Sequence, residues 1–282
     1  MLRIATWNIG QARLGLAGIK LKDAVAHASA RAGPTVEAIS ARRDRVDVWL
    51  LQEAYGWQVR SLLSRLSGYR AIHGPRHLRD TGLAILVRTG WRVGTPRHIA
   101  FPALDWVEIA IAMKGCLSVQ VETPFGPLRV GNLHTSYDGR GRQSTADRAP
   151  PHRRKQIAMA LDLMEHEPEM PMLLGGDFNA SALHEPETHA VLTGRGWRDL
   201  SLTTDRRAAD ACATWSNANP LVPHSETYPD QDIDLIWARG LPSGCRVGTS
   251  TFMTEPVVKT ADGRTVPLSD HYGLLVDISA PA

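Results

Sequence analysis

The chain has 282 residues, of which 43% are hydrophobic, and its formal charge is only +3. That length allows a large buried core, while so mild a charge permits a polyanionic substrate without demanding one. No apolar run approaches the roughly 18 residues of a membrane span. Cys116, Cys212 and Cys245 are odd in number and far apart, with no zinc-type pairing, so neither a disulfide framework nor a structural metal is signalled.

In chain order, LRIATW reads as a buried first strand ending at Asn8, and VDVWLLQE as a second ending at Glu53. Residues 20 to 45 between them carry Ala-rich helical patterning, with Pro34 placed to open a helix. SLLSRLSGY predicts a helix closed by Gly68. GLAILVRTGWRV, DWVEIAIAMKG and CLSVQVETPFGPLRVGNLH then predict an antiparallel meander, with tight turns at Thr89-Gly90, Lys114-Gly115 and Pro124 to Pro127. HRRKQIAMALDLMEHE is the clearest helix, with Ile157, Leu161 and Met164 on one face. PMLLGGDFN, DIDLIWARG and GLLVDI supply further strands around a long polar stretch that carries Thr214, Trp215 and Asn219. The expected class is mixed α/β, with two sheets face to face and helices outside. One domain over residues 1–282 is expected, because polar residues spread from position 8 to 271 must meet in a single site. LRIATW is too short for a secretory apolar region, so a cytoplasmic protein is expected unless a leader has been trimmed.

Five polar stations end or interrupt these apolar runs. Asn8 and Glu53 are oxygen ligands held rigidly at sheet ends, a pairing that suits Mg²⁺; the plainer reading is a turn-former and a solvated strand end. In GGDFN, Asp177 can orient or deprotonate a water and Asn179 can donate to a phosphate oxygen, if an extended backbone points them to one side. An Asp-x-Asn turn is the alternative. In SDH, Asp270 can lie against a metal and His271 can donate to a phosphate or exchange a proton, with Asp234 fixing its tautomer. His134 can assist a leaving oxygen or bind phosphate, although a lone strand-end histidine is more often packed or solvated.

The order Asn, Glu, His, Asp-x-Asn, Asp, Asp-His over essentially the whole chain resembles the endonuclease/exonuclease/phosphatase superfamily of deoxyribonuclease I-like enzymes. The resemblance implies a four-layer αββα sandwich with two mixed, mainly antiparallel sheets, and Mg²⁺ or Mn²⁺ as cofactor. It places Asn8, Glu53 and Asp270 on the metal side, Asp177 on the attacking water, Asn179, His134 and His271 on the phosphate, and Asp234 on His271. Gly10 and His134 replace the acidic residue and the tyrosine usual in abasic-site endonucleases, which disfavours that branch. Asp232 stands where arginine is common. MKGCLSVQVETPFGPLRVGNLH is similar to the Lys-Gly and His-bearing strands of neutral sphingomyelinases.

Arg140, Arg142, Arg148, Arg153, Arg154 and Lys155 follow the His134 strand and can grip the flanking phosphates of DNA or RNA, or can form a solvated loop and helix face. Arg76, His77 and Arg79 offer a second arm with the same ambiguity. Trp57, Trp106, Trp197 and Trp215 are stacking types, but none is assigned to a base. A Mg²⁺-dependent phosphodiesterase acting on nucleic acid is the leading expectation. A sphingomyelinase-like lipid phosphodiesterase and an inositol-phosphate-type phosphomonoesterase follow it, and a non-catalytic phosphate-binding module comes last because the catalytic set is intact.

Overall fold

The computed structural model describes residues 1–11, 13–16, 19–23, 25–75, 80–111, 113–138, 147–167, 169–202, 213–222 and 229–280. In chain order its elements are β1 (Leu2–Asn8), β2 (Arg13–Leu16), β3 (Ile19–Asp23), α1 (Ala28–Ser40), β4 (Val48–Gln52), α2 (Trp57–Ser64), β5 (Tyr69–His73), β6 (Ala84–Arg88), β7 (Arg92–Val93), β8 (Arg97–Ala100) and α3 (Trp106–Ile111). They continue with β9 (Gly115–Thr123), β10 (Gly126–His134), α4 (Ala149–Met164), β11 (Met172–Asp177), α5 (Pro186–Thr193), β12 (Arg198–Asp199), β13 (Asp234–Arg239), β14 (Arg246–Phe252), β15 (Val258–Lys259), β16 (Thr265–Val266) and β17 (Gly273–Ser279).

Six strands form one sheet in the order β14-β17-β1-β4-β6-β5, and seven form the other along β12-β13-β11-β10-β9-β7, with β8 also pairing β9. Strands buried on both faces read as continuous apolar runs, and that is why LRIATW and MLL carry no clean alternation. Ile4, Val48, Leu50 and Ile85 from the first sheet meet Leu117, Val130, Leu173 and Ile236 from the second in the central core. Trp7, Trp49 and Leu51 face outward onto Val36, Ile39, Val59 and Leu63 of α1 and α2. Leu133, Leu174 and Trp237 likewise face Ile157, Leu161, Met164 and Leu192 of α4 and α5. The result is the expected αββα stack. Among the described residues, no helix is long and apolar enough to cross a membrane.

Two polar side chains bridge the sheets within this apolar middle. Asn132 of β10 donates to the Leu51 and Ala84 carbonyls at 2.8 and 2.9 Å and accepts from Gln52 Nε2 at 2.7 Å. Gln52 also reaches Thr6 Oγ1 at 3.1 Å. Because a buried amide is costly unless satisfied and Asn132 has partners at both its oxygen and its nitrogen, this bridge fixes how the sheets align beneath the site. Gly175 allows the close approach between sheets, and Gly176 a close approach to the paired strand of its own sheet. A Cβ on Gly175 would stand 2.6 Å from Leu50 Cδ1, and one on Gly176, at φ 151°, would stand 1.9 Å from the Leu133 carbonyl oxygen.

Several expected elements differ. Pro34 lies inside α1 rather than at its start. The bond its ring forfeits is tolerated because Gly33 before it has no Cβ to clash and because the buried face of Ala32, Thr35, Val36 and Ile39 holds the helix down. Helix α2 ends at Ser64, and Gly68, at φ 88°, turns the chain into β5. DWVEIAIAMKG is not a strand. Its centre is α3, where Asp105 Oδ1 accepts from Glu108 N at 3.0 Å and Glu108 Oε2 accepts from Leu104 N at 2.8 Å, a variant of the capping box that outweighs the β-prone side chains. The meander is therefore interrupted. Thr89-Gly90 carries the chain from the first sheet to the second, and Gly115 begins β9 instead of closing a hairpin with Lys114.

Candidate active site

The two parallel strand pairs, β1 with β4 and β10 with β11, aim their carboxyl ends at one mouth of the sandwich. Register then sets the polar row. Gly115 pairs with His134, His134 with Asp177, and Asp177 with Asp234, so three candidate residues stand side by side across three strands and Lys114 lies one step beyond. In the facing sheet Asn8 pairs with Gln52, which puts Glu53 beside it, while Asp270 and His271 lie just ahead of β17.

Asp177 is the hub. Its Oδ2 accepts from Asn8 Nδ2 at 3.0 Å and faces His134 Nε2 at 3.3 Å and His271 Nε2 at 3.9 Å. Its Oδ1 accepts from the Asn179 backbone N–H at 2.9 Å. Asn179 sits at φ 47°, so the segment is a turn and not the extended strand expected, and its amide donates to the Thr135 carbonyl at 3.0 Å. The turn and the functional site are thus the same feature. Burial opposes the charge on Asp177, but His271, His134 and Lys114 outweigh it and hold the carboxyl well below the usual range.

His271 Nδ1 donates to Asp234 Oδ2 at 2.8 Å, the expected orienting contact. Burial disfavours the imidazolium, yet Asp234 and Asp177 carry its pKa up to about 10. Asp234 is pushed up to about 6 by burial, against the pull of His271. Thr214 Oγ1 accepts from the Ile233 and Asp234 N–H groups at 3.1 Å, and Asp232 Oδ1 accepts from Thr214 N at 3.2 Å. The polar stretch around Thr214 therefore supports Asp234, and Asp232, in the usual arginine position, has a role of its own in that support.

His134 differs in character from His271. Its Nε2 lies 2.6 Å from Lys114 Nζ, and burial together with that ammonium lowers its pKa despite Asp177. Lys114 belongs to the Lys-Gly step noted in the sequence, where it was given no role; it lies immediately before the strand that pairs the His134 strand.

On the cation side, buried Glu53 Oε2 meets no hydrogen-bond partner among the described residues, and its backbone is held at φ 54°, a conformation uncommon for a non-glycine residue. Ser269 Oγ donates to the Asn8 carbonyl at 2.6 Å and lies 3.2 Å from Asp270 Oδ1, so Asp270 and Asn8 meet at one hydroxyl. Asn8 Oδ1 accepts from Gly10 N at 3.0 Å. Gly10, at φ 56°, leaves room for Asp270, whose Oδ1 would be 2.8 Å from a Cβ there. Buried Arg31, not singled out from the sequence, donates to the Gly10 carbonyl at 2.7 Å and the Leu268 carbonyl at 2.6 Å, tying both segments to α1. Ligand atoms of Asp177, Asp234 and His271 lie within 4.8 Å of one another, with His271 Nδ1 and Asp234 Oδ2 already engaged with each other. The orphaned Glu53 oxygen, the Asp270 carboxylate and the Asn8 amide oxygen are the donor chemistry that fits a hard divalent cation.

The basic cluster divides. Arg140, Arg142, Arg76, His77 and Arg79 lie outside the described residues, as does Cys212. Arg148 is exposed, its Nη2 donating to the Leu104 carbonyl at 3.3 Å. Arg153 is buried against Glu185 and donates to the Ser136 carbonyl at 3.0 Å, so it braces the fold and is not available to grip a strand. Trp197 and Trp215 are buried, whereas Trp57 and Trp106 are 78% and 70% exposed.

Residues 5–271 match the family described as Endonuclease/Exonuclease/phosphatase family. Among solved structures, the fold is similar to that of D. rerio TDP2 complexed with single strand DNA product, with a TM-score of 0.69, 20% identity and 99% of each chain covered. SmcL gives 0.72 at 17% identity, again over 99% of each chain. Beta toxin from Staphylococcus aureus gives 0.75 at 16% identity, over 98% of this chain and 99% of that one. No curated protein matches the sequence.

Proposed function

As this chain belongs to the Endonuclease/Exonuclease/phosphatase family and is on that ground a phosphoester hydrolase, we propose that it cleaves phosphodiesters by in-line attack of a water oriented by Asp177. The observation that carries this reading is the convergence on one ionised, buried carboxylate of Asn8, His134, Asn179 and His271, contributed by separate strand ends. Such a carboxylate is an acceptor for water, and its neighbours are donors for a phosphate.

Glu53, Asp270 and Asn8 would hold Mg²⁺, with Mn²⁺ as a substitute. Bound there, the ion supplies Lewis-acid stabilisation of phosphoryl oxygens. The chain's own residues do the rest. Asp177 accepts from the attacking water and takes up its proton. His271, kept charged by Asp234, donates to a non-bridging oxygen as negative charge builds. Asn179 exchanges its bond to the Thr135 carbonyl for one to the substrate, and His134 lies on the phosphate side with Lys114 against it.

Nucleic acid leads as substrate class, with exposed Arg148 following the His134 strand in the chain and single strand DNA product in the TDP2 complex as support. A second reading, a phospholipid-type diester, is favoured by Trp106 and Ile109. One turn apart on α3, they are 70% and 65% exposed, an apolar pair open to solvent. The test is hydrolysis of bis(p-nitrophenyl) phosphate, single- and double-stranded DNA, RNA, sphingomyelin and inositol phosphates, with Mg²⁺ or with EDTA. Turnover of a nucleic-acid diester that EDTA abolishes and Mg²⁺ restores is expected. Indifference to chelation overturns the cation role, and failure on every diester overturns the reaction.

A further inference from the structure

We propose that Arg31 is the positioning residue of the cation side: its guanidinium holds the Asn8 and Asp270 segments together and so sets the affinity for a divalent ion. The assignment rests on the cation reading above and adds to it a residue that acts through the backbone.

Arg31 stands near the start of α1 and is fully buried. A guanidinium offers five N–H donors in one plane. Here they meet four backbone carbonyls. Nε reaches Ala26 at 3.1 Å, Nη1 reaches Leu268 at 2.6 Å and Ile9 at 3.4 Å, and Nη2 reaches Gly10 at 2.7 Å. The Ile9 N–H donates to the Gln52 carbonyl at 3.1 Å, and past that bond the chain has left β1. Buried carbonyls beyond a strand need donors from elsewhere, and those of Ile9 and Gly10 find them in Arg31.

Placement supports the role. Gly10 follows Asn8 by two residues and Leu268 precedes Asp270 by two, so one rigid plane spans the segments that carry an amide oxygen and a carboxylate of the site. A Cβ on Gly10 would stand 2.8 Å from Asp270 Oδ1, 3.0 Å from Ser269 Oγ and 3.4 Å from Arg31 Nη1, so the guanidinium borders the same small space as the Asp270 carboxylate. The helix that carries it is itself anchored, with Ala32, Val36 and Ile39 in one cluster with Trp7 and Trp49. Arg31 thus ties both segments to a fixed element, as the support of a preorganised ligand set should. Charge and geometry make opposite predictions. A positive charge beside Asp270 by itself repels a divalent ion, so removing the charge alone would tighten binding. Removing the fork that spaces Asn8 from Asp270 weakens it.

The test reads ion binding without turnover. Mn²⁺ is the probe, titrated into the full metal-free chain and followed by electron paramagnetic resonance of the free ion. Arg31→Met is expected to raise the Mn²⁺ dissociation constant by about 10- to 100-fold. Arg31→Lys keeps the charge and loses the planar fork, so it should also lose about tenfold, and it carries the test if the methionine variant does not fold. The matched control is Arg129→Met. Arg129 is likewise buried, donates to the Met164 carbonyl at 2.9 Å and pairs with Glu167, but it lies in the amino-terminal half of β10, away from the mouth. Its replacement should lower Tm and leave Mn²⁺ affinity unchanged. Arg31→Met protein that binds Mn²⁺ as tightly as the parent, or more tightly, overturns the positioning role. Full affinity in Arg31→Lys overturns it too, because charge would then suffice, and so does an equal loss in Arg129→Met, which would mark general loosening. A parent chain that takes up no Mn²⁺ overturns instead the cation reading beneath the proposal.

Discussion

Replacing Asp177 with Asn removes the hub while nearly preserving its shape. At an effective dielectric near 20, two unit charges about 4 Å apart attract by about 4 kcal/mol, and Asp177 Oδ2 lies 3.9 Å from His271 Nε2. The variant therefore strips His271 of much of the field that keeps it charged. It also deprives the attacking water of its base, a loss of about 10²- to 10⁴-fold in systems of this kind. Together these predict a fall in kcat of at least about 10³-fold. The introduced amide must also present its own N–H to Asn8 Nδ2 or to the Asn179 N–H, which now donate at 3.0 and 2.9 Å. One such mismatch costs about 1–3 kcal/mol, or a drop in Tm of roughly 2–10 °C. Steady-state hydrolysis of bis(p-nitrophenyl) phosphate at saturating Mg²⁺, with a thermal melt on the same samples, measures both. A folded variant that keeps kcat within tenfold of the parent would remove Asp177 from the chemistry.

Stability should fall on the alkaline side. His271 is raised from 6.5 to about 10, so its contribution is complete below the unfolded value and is lost as pH rises through the folded one. In EDTA, Tm is expected to decline between about pH 6.5 and 10, and Asp234→Asn to flatten that decline; a level Tm across the window contradicts the ion pair. Gly10→Ala forces a methyl to within 2.8 Å of Asp270 Oδ1 at a backbone φ of 56°, so the Mg²⁺ concentration for half-maximal activity should rise by about tenfold or more. An unaltered Mg²⁺ titration would place Asp270 outside the cation site. Asn132→Leu leaves the Leu51 and Ala84 carbonyls and Gln52 without their partner between the sheets, and should lower stability by about 2–4 kcal/mol in denaturant titrations. A change within about 0.5 kcal/mol would show that the bridge contributes nothing net.

Much of the architecture was legible because burial on both faces leaves a plain signature. LRIATW, VWLLQ, MLLGGD and DLIWAR could scarcely be anything but central strands, and each delivered its polar residue to the expected end. Edge elements leave no such trace. β14 is half-exposed along its length, and β8 is four half-buried residues, so neither stood out. In α3, local capping by Asp105 and Glu108 overrode a β-like composition.

At the site, the sequence by itself determined which side chains stand at strand ends: Asn8, Glu53, His134, Asp177 and Asp234, with Asp270 and His271 leading into the last strand. Only the tertiary structure decided which of them touch, because contact depends on register between strands far apart in sequence and on how one sheet rests on the other. That is why two histidines in similar settings diverge. The pKa of His271 is carried up between Asp234 and Asp177, while burial, together with a lysine twenty residues earlier in the chain, lowers that of His134. Proton affinity follows the charges within a few ångströms, and those neighbours are chosen by folding.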